Sequence, residues 1–216
     1  MTKTERLALF DQVDLYPVTC QPLSEGRSSL EVLDGILAGG ARIVQLREKE
    51  MTLRELCQLG QEFRRRTASA GALLIVNDHV DLALAVDADG VHLGQDDLPM
   101  AAARGLAPEL IIGRSSHGLE QAIVAEAEGA DYVNIGPIFP TGTKPEHTVF
   151  LCPQAIREFG PRLAVPFTVM GGIGLANIDQ VVAAGARHVA VVTAVTRAPD
   201  IAAAVRELRA RITAGR

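Results

Sequence analysis

Residues Leu73-Leu-Ile-Val-Asn-Asp78 and Val91-His-Leu-Gly-Gln-Asp-Asp97 decide the fold class of this chain. In each stretch a short apolar strand runs directly into amide and acidic side chains. An α/β barrel places its functional side chains at the carboxyl ends of its strands. Asp78 and Asp97 are nineteen residues apart, so the fold has to bring them together. Two carboxylates meeting there would suit Mg²⁺, which takes oxygen ligands and usually keeps waters or substrate phosphates.

Each aspartate also has an ordinary structural interpretation. Asp78 could cap the helix that follows it, and Asp97 could start a turn before Pro99. Taken singly, each Asp favours that interpretation. Together with the other strand ends, the pair favours a metal site.

The pattern of apolar strand and polar end recurs along the whole chain. Strands are predicted at 15–19, 42–47, 73–77, 90–93, 111–115, 132–136, 167–171 and 188–192. Helical patterns between them include 28–38, 52–70, 118–128, 177–184 and 201–212. Several of these helices are followed by Gly-Ala, in which glycine provides a left-handed helix stop.

Eight such units in 216 residues predict a compact (β/α)8 TIM barrel, with residues 1–216 as a single domain. The alternative is an open doubly wound sheet, which binds its ligand at one switch point. We favour the barrel because polar residues cluster at nearly every strand end.

Composition limits the classes of function. With 48% hydrophobic and 22% charged residues the chain is typical of globular proteins, and its net charge of −5 argues against non-specific nucleic-acid binding. No apolar run approaches the roughly 18 residues of a membrane span. Cys20, Cys57 and Cys152 follow neither a CxxC nor a zinc pattern. We therefore expect a cytoplasmic protein with buried thiols and no nucleic-acid or membrane partner.

The second strand ends in Gln45-Leu-Arg-Glu-Lys49. Side chains alternate along a strand, so Gln45, Arg47 and Lys49 share a face. At the barrel mouth, Arg47 would offer a bidentate fork to a phosphate and Lys49 a point charge. A solvated charge cluster is the alternative, but burying Gln45 and Arg47 without partners would be costly.

The fourth, fifth and sixth strands end in further hydrogen-bonding groups. His92 has both a structural and a catalytic interpretation. Ser115 could donate to a ligand and His117 could act as an acid or base, whereas Ser116 and His117 also resemble helix N-caps. The loop Gly136-Pro-Ile-Phe-Pro-Thr-Gly-Thr-Lys144 is stiff and rich in donors, which suits a phosphate.

The seventh and eighth strands run into Gly171-Gly-Ile-Gly174 and Val192-Thr193. Loops at these places in barrels commonly bind phosphate through glycine amides and a short helix N-terminus. Gly171 and Gly172 could instead serve only a tight turn. The strand ends thus divide into a cationic, metal-assisted site and a neutral amide site, which would fit a diphosphate with Mg²⁺ and a monophosphate.

The motifs together resemble the thiamine-phosphate synthase family. The matching pieces span most of the chain: Gln45–Lys49, Val76–Asp78, Val91–Asp97, Gly113–His117, Gly136–Lys144 and Gly171–Ile173. The resemblance implies a (β/α)8 transferase that joins a hydroxymethylpyrimidine diphosphate to a thiazole monophosphate and releases pyrophosphate. It implies a dissociative route in which pyrophosphate leaves first, so no side-chain nucleophile is required.

The resemblance also implies residue roles. Asp78 and Asp97 would bind Mg²⁺. The catalytic residues would be Arg47, Lys49, Ser115 and Lys144. The pyrimidine diphosphate would be held by Gln45, Arg47, Lys49, Asn77, Ser115 and Lys144, the thiazole phosphate by Thr141, Thr143, Gly172, Val192 and Thr193, and Glu48 is a further predicted substrate contact.

Three positions depart from the family pattern: Cys20, where Asp is common, Arg114, where a small apolar residue is usual, and Thr193 in place of Ser. Arg114 and His117 are closer to the sister thiazole tautomerases, which is the alternative enzyme hypothesis. A barrel that binds thiamine-pathway phosphates without turnover is a third. The expected partners are small-molecule substrates, with homo-oligomerisation a further possibility.

Overall fold

The computed structural model describes residues 1–142 and 149–215. The described residues form eight strands: β1 Leu15–Pro17, β2 Ile43–Leu46, β3 Leu73–Asn77, β4 Gly90–Leu93, β5 Ile111–Ser116, β6 Tyr132–Ile135, β7 Phe167–Val169 and β8 His188–Val191. The helices are α1 Lys3–Phe10, α2 Ser29–Ala38, α3 Leu53–Ser69, α4 Val80–Ala85, α5 Met100–Leu106, α6 Leu119–Ala127, α7 Cys152–Phe159, α8 Ile178–Ala183, α9 Thr193–Thr196 and α10 Ile201–Ala214.

The strands form one parallel sheet that closes on itself. Each strand pairs with its neighbours in chain order from β2 to β8, and β8 pairs with β1. A bridge between Val18 and Gln45 joins the ends of β1 and β2, and the Thr19 N–H donates to the Gln45 carbonyl at 3.0 Å. The predicted (β/α)8 barrel is therefore confirmed, and the open doubly wound sheet is excluded.

The helices pack around the sheet because each presents one apolar face. On α3, Leu56 and Phe63 are buried against the strands. Ser28 and Thr52 each form a capping box with the glutamate three residues on, so α2 and α3 begin one residue after the predicted starts. Glycine at the predicted helix stops has positive φ at Gly40, Gly71, Gly129 and Gly185, as expected.

A second apolar cluster fills the barrel interior. Its members include Val18, Ile43, Ile75 and Ile111 from the strands. The sequence patterns did not predict α1, which places Phe10 under the strands, where its ring stacks on Tyr132 with centroids 4.5 Å apart. The lower end of the barrel is thereby filled by an aromatic plug.

Five strands end one or two residues earlier than predicted. The residues that follow β1, β2, β6, β7 and β8 leave the sheet and turn into the mouth of the barrel. Among the described residues, no helix is both long enough and apolar enough to cross a membrane.

Candidate active site

A cavity opens at the carboxyl ends of the strands and holds about 930 Å³ of empty space, part of it open to solvent. It is lined by many of the predicted site residues: Gln45, Arg47, Lys49, Asn77, Asp78, Ser115, Thr141, Gly172, Val192 and Thr193. These residues come from the ends of β2, β3, β5, β6, β7 and β8. The barrel therefore brings into one cavity groups that lie almost 150 residues apart in the chain.

Arg47 and Lys49 provide the positive charge of this cavity. The Arg47 backbone N–H donates to Thr19 Oγ1 at 3.2 Å, which fixes the chain just after β2. Arg47 Nη1 lies 3.8 Å from Cys20 Sγ. The cysteine that departs from the family pattern therefore contacts an arginine that is predicted to bind the diphosphate. Burial raises the pKa of the Cys20 thiol and outweighs the nearby Arg47 charge, so Cys20 remains a neutral neighbour.

Glu48 is a predicted substrate contact that does not line the cavity. Its carboxylate is buried and accepts hydrogen bonds from the Gln21 N–H at 2.7 Å and from Ser29 Oγ at 2.8 Å. Glu48 thus ties the β1 loop to the start of α2. Its role as a substrate contact remains an untested prediction without support from this geometry.

Asp78 adopts an unusual backbone conformation at the mouth. Its φ is +65°, and its N–H donates to the His92 carbonyl at 2.8 Å. The next helix begins at Val80 with His79 as its N-cap, so Asp78 does not cap that helix. The left-handed conformation instead turns its carboxylate into the cavity, where Lys49 Nζ lies 3.4 Å away.

Asp97 faces Asp78 across the ends of β3 and β4. Burial first, and then the neighbouring Asp97 carboxylate, raise the pKa of Asp78, while Lys49 acts in the opposite direction. The Gly94 N–H donates to Asp97 Oδ2 at 2.6 Å, so Asp97 closes a turn that begins at Gly94 and does not start one before Pro99 as its sequence suggested. The turn and the carboxylate pair are compatible, because the turn uses only one of the Asp97 oxygens.

Arg114 holds the loop that carries Asp97. Its guanidinium is largely buried and donates to the carbonyls of Gln95 at 3.2 Å and Leu98 at 3.4 Å. These carbonyls lie on either side of Asp97. Arg114, which departs from the family pattern, therefore supports the loop of Asp97, a predicted metal ligand.

The Asp78–Asp97 pair is chemically suited to a hard divalent cation. No group of three or more His, Cys, Asp or Glu side chains that could hold a metal is found among residues 1–142 and 149–215. Mg²⁺ is commonly held by one or two carboxylates together with waters and substrate phosphates. A cation between the two carboxylates would also relieve the repulsion that raises the Asp78 pKa.

Polar side chains in the barrel interior connect two predicted substrate contacts. Gln45 Nε2 donates to Tyr16 Oη at 2.9 Å, and Tyr16 Oη lies 3.0 Å from Tyr132 Oη. His92 Nδ1 is 2.9 Å from Tyr132 Oη, and His92 Nε2 is 2.9 Å from Ser115 Oγ. His92 thus faces the barrel interior.

Ser116 and His117 do not act as helix N-caps. The N-cap of α6 is Gly118, and no side chain caps this helix end. Ser116 Oγ donates to the Asn134 carbonyl at 2.9 Å, and His117 Nδ1 donates to the Gly136 carbonyl at 2.7 Å. His117 lines the cavity, whereas Ser116 is fully buried beside it.

The loops after β7 and β8 form the other side of the cavity. Gly171 and Gly172 have φ of +106° and +62°, and a side chain on Gly172 would collide with the Pro140 carbonyl. The glycines are therefore required for the turn as well as lining the cavity. The short helix α9 begins at Thr193 directly after β8. Thr143 and Lys144 lie outside the described residues.

Asn134 is a cavity residue that the sequence patterns did not single out. It lies within β6, and its Oδ1 accepts a hydrogen bond from Thr168 Oγ1 at 2.8 Å. The available signal was an amide inside the apolar run Tyr132-Val-Asn-Ile135. Apolar lining residues such as Val18, Met170 and Ile173 carried no comparable signal.

Fold and cavity together define a (β/α)8 barrel protein whose cavity at the carboxyl ends of the strands carries both cationic and acidic side chains. The sequence profile of the family described as "Thiamine monophosphate synthase" matches residues 15–195. The chain belongs to the thiamine-phosphate synthase family, which confirms the predicted family and, with it, a transferase of thiamine biosynthesis.

Individual relatives agree with this membership. The thiamine-phosphate synthase of Chloroflexus aurantiacus is 46% identical over 92% of this chain and 92% of its own length. That of Methanospirillum hungatei is 48% identical over 89% of this chain and 94% of its own length. The solved thiamine phosphate pyrophosphorylase of Pyrococcus furiosus superposes with a TM-score of 0.89 at 37% identity, covering 96% of this chain and 98% of that one.

Proposed function

We propose that the protein joins a hydroxymethylpyrimidine diphosphate to a thiazole monophosphate and releases pyrophosphate and thiamine phosphate. Family membership supports this reaction. The structural observation that carries it is one cavity in which Arg47 and Lys49 lie with Asp78, whose carboxylate neighbours that of Asp97, opposite the Gly171–Gly172 turn. Two differently charged walls suit two differently charged phosphate substrates.

The diphosphate would lie against the ends of β2 to β5. Arg47 and Lys49 would stabilise the charge that develops on the leaving pyrophosphate, and Asn77 and Ser115 would donate hydrogen bonds to its oxygens. Asp78 and Asp97 would hold Mg²⁺, which would neutralise further charge on the diphosphate. Lys144 completes this set by resemblance only.

The monophosphate would lie against the loops after β6, β7 and β8. Thr141 lines the cavity from the loop after β6, while Gly172, Val192 and Thr193 line it from the other two. Backbone N–H groups of a glycine turn and of a helix start suit an anion of this kind. Thr143 is assigned here by resemblance alone.

The proposed chemistry requires no nucleophile from the protein. The bond between the pyrimidine methylene carbon and the diphosphate oxygen breaks, and the electron pair leaves with pyrophosphate. The thiazole nitrogen then supplies the electron pair for the new carbon–nitrogen bond. The side chains position the two substrates and stabilise the leaving charge, which is where enzymes commonly gain most of their rate.

The decisive experiment incubates the purified protein with both substrates, with and without Mg²⁺. We expect thiamine phosphate and pyrophosphate in equal amounts, much more slowly when Mg²⁺ is chelated. Omitting either substrate should give no thiamine phosphate. If both substrates with Mg²⁺ give no product, the proposal is wrong.

A second candidate is thiazole tautomerase activity, favoured by the position of His117 in the cavity. It predicts isomerisation of a carboxylated thiazole phosphate without Mg²⁺, lost in His117→Ala. Tight binding of these phosphates without turnover of either substrate set would support a regulatory barrel instead.

The remaining proposals concern the molecule as a whole. We propose one catalytic barrel over residues 1–216 in the cytoplasm, acting on small molecules and not on nucleic acid. Homo-oligomerisation remains a prediction, which light scattering on the purified protein would test.

A further inference from the structure

Five side chains in the barrel interior form a continuous series of hydrogen bonds, here called the buried relay: Gln45, Tyr16, Tyr132, His92 and Ser115. The four successive separations are 2.9, 3.0, 2.9 and 2.9 Å. The relay begins and ends at predicted substrate contacts. Its three middle members have no assigned role in the proposed reaction.

Burial determines which atom donates in the first two hydrogen bonds of the relay. Gln45 Nε2 can only donate, so Tyr16 Oη accepts its proton. Tyr16 and Tyr132 are 2% and 0% exposed, and a hydroxyl proton left without an acceptor there would be strongly unfavourable. The Tyr16 O–H therefore donates to Tyr132 Oη, 3.0 Å away.

The same reasoning continues to the imidazole. Tyr132 Oη has accepted from Tyr16, and its own O–H donates to His92 Nδ1 at 2.9 Å. An imidazole nitrogen that accepts carries no proton, so the proton of the neutral ring lies on Nε2. His92 Nε2–H then donates to Ser115 Oγ at 2.9 Å.

We propose that Tyr16, Tyr132 and His92 are positioning residues that fix the His92 tautomer and turn the Ser115 hydroxyl proton towards the cavity. Because Ser115 Oγ accepts from His92, its own O–H points away from the imidazole. Ser115 lines the cavity, so its O–H becomes a donor to a bound ligand. The reverse direction would turn that proton inward and present only lone pairs to an anionic substrate.

The surroundings keep the two phenols of the relay protonated. Burial raises the pKa of both phenols above their ordinary value of 10.0, so both keep their protons at any assay pH near neutrality. The Tyr132 ring stacks on Phe10 and on His92, with centroid separations of 4.5 and 5.5 Å. These two ring contacts hold the Tyr132 side chain in place within the relay.

The first test observes the proton directly and needs no substrate. The side-chain ¹⁵N spectrum of the full-length protein should show His92 with a pyrrole-like Nε2 and a pyridine-like Nδ1. His92→Gln identifies these signals among the five histidines of the chain. A proton on Nδ1 in the wild-type protein would overturn the proposal, whatever the variants do.

The second test uses turnover and rests on the proposed function. Tyr132→Phe keeps the ring and removes the donor to His92 Nδ1, so we expect kcat/KM for the pyrimidine diphosphate to fall roughly tenfold, the size of one neutral hydrogen bond. Ser115→Ala should fall at least as far. The double variant should lose no more than Ser115→Ala alone, because both changes act through the same hydroxyl.

Ser116→Ala is the matched control. It removes a fully buried hydroxyl that donates at 2.9 Å, but one outside the relay. The His92 spectrum and the kcat/KM of this variant should match wild type. Additive losses in the double variant, or an unchanged His92 spectrum in Tyr132→Phe, would reduce Tyr132 to a packing residue and contradict the relay.

The two tests separate the inference from the function on which it rests. A wild-type protein that forms no thiamine phosphate contradicts the proposed function, while its ¹⁵N spectrum still supports or overturns the relay. An active enzyme with the wrong His92 tautomer contradicts only the relay.

Discussion

The two ends of the barrel use the same residue, aspartate, in opposite ways. At the amino ends of the strands, Asp14, Asp89 and Asp131 each accept from a strand backbone N–H and pair with an arginine, at 2.8, 2.7 and 2.5 Å respectively. At the carboxyl ends, Asp78 and Asp97 face each other. Arginines neutralise the carboxylates at the first end, whereas two carboxylates meet at the second, so we expect the first end to stabilise the fold and the second to bind a cation.

The surroundings of Asp89 and Asp78 make the contrast concrete. Asp89 is 1% exposed and lies between Arg6, at 3.4 Å, and Arg64, at 2.7 Å. Asp78 has a single ion pair among the described residues, with the half-exposed Lys49 at 3.4 Å, and a second carboxylate raises its pKa. The contrast predicts that neutralising an aspartate harms stability at the lower end and activity at the upper end.

The largest expected effect is on catalysis. Asp97→Asn should reduce kcat by roughly 10²- to 10³-fold, the usual cost of losing one electrostatic group at the reacting centre. The fold should be unaffected, because the amide oxygen of the substituted side chain can still accept from the Gly94 N–H. Steady-state assays across a Mg²⁺ titration measure the change.

Asp96→Asn is the control for this variant, since Asp96 is the exposed neighbour of Asp97. It should behave as wild type. An unchanged rate and Mg²⁺ titration in Asp97→Asn would remove Asp97 from the metal site.

The next effect is on stability. Asp89→Asn leaves Arg6 and Arg64 without their buried carboxylate and should lower the free energy of unfolding by about 3 kcal/mol. Activity per folded molecule should stay unchanged, because Asp89 is at the opposite end from the cavity. Urea unfolding measures the loss.

Asp34→Asn is the matched control, because Asp34 pairs with Arg66 at 2.6 Å but its side chain is 60% exposed. Its loss should be below about 1 kcal/mol. Similar losses of unfolding free energy in Asp89→Asn and Asp34→Asn would show that burial does not make the Asp89 ion pairs more stabilising than an exposed pair.

A smaller effect should follow from loosening the Asp97 loop. Arg114→Met removes the donors to Gln95 and Leu98 and should raise the Mg²⁺ concentration for half-maximal activity roughly tenfold, the usual size of the effect when a group supporting a metal ligand is lost. The kcat at saturating Mg²⁺ should change much less. If the Mg²⁺ concentration for half-maximal activity is unchanged, Arg114 contributes packing and does not support the metal site.

The smallest effect is on the substrate-free protein. Mg²⁺ at about three times its Kd should raise the free energy of unfolding by about 0.8 kcal/mol, from RT ln(1 + [L]/Kd). Asp97→Asn should abolish this increment and Asp89→Asn should retain it. Thermal unfolding with and without Mg²⁺ decides, and equal stabilisation of both variants would place the ion elsewhere.

Much of this arrangement follows from local sequence patterns. The alternation within β2 directs Gln45 to the cavity, because the two faces of a strand are fixed by its pleat, and Arg47 and Lys49 line the same cavity just after the strand ends. The recurrence of apolar strand and polar end is likewise local, and it predicted the eight strands and the end at which the cavity opens.

Other features depend on what the chain meets after folding. Glu48 lies beyond the end of β2, so the alternation of the strand no longer fixes the direction of its side chain. Its hydrogen bonds with Gln21 and Ser29 fix that direction instead. The left-handed Asp78 and the plug formed by α1 likewise depend on neighbours contributed by distant segments.

The sequence by itself therefore determined the barrel, the end that carries the cavity and most of the side chains that line it, because strand faces and helix stops are set by near neighbours. Only the tertiary structure decided which of these groups meet. Tyr16 and Tyr132 are 116 residues apart, and their contact exists because closing the barrel brings β1 and β6 to face each other across its interior. Asp78 and Asp97 meet for a more local reason, because the neighbouring strands β3 and β4 pair directly and bring their carboxyl ends together.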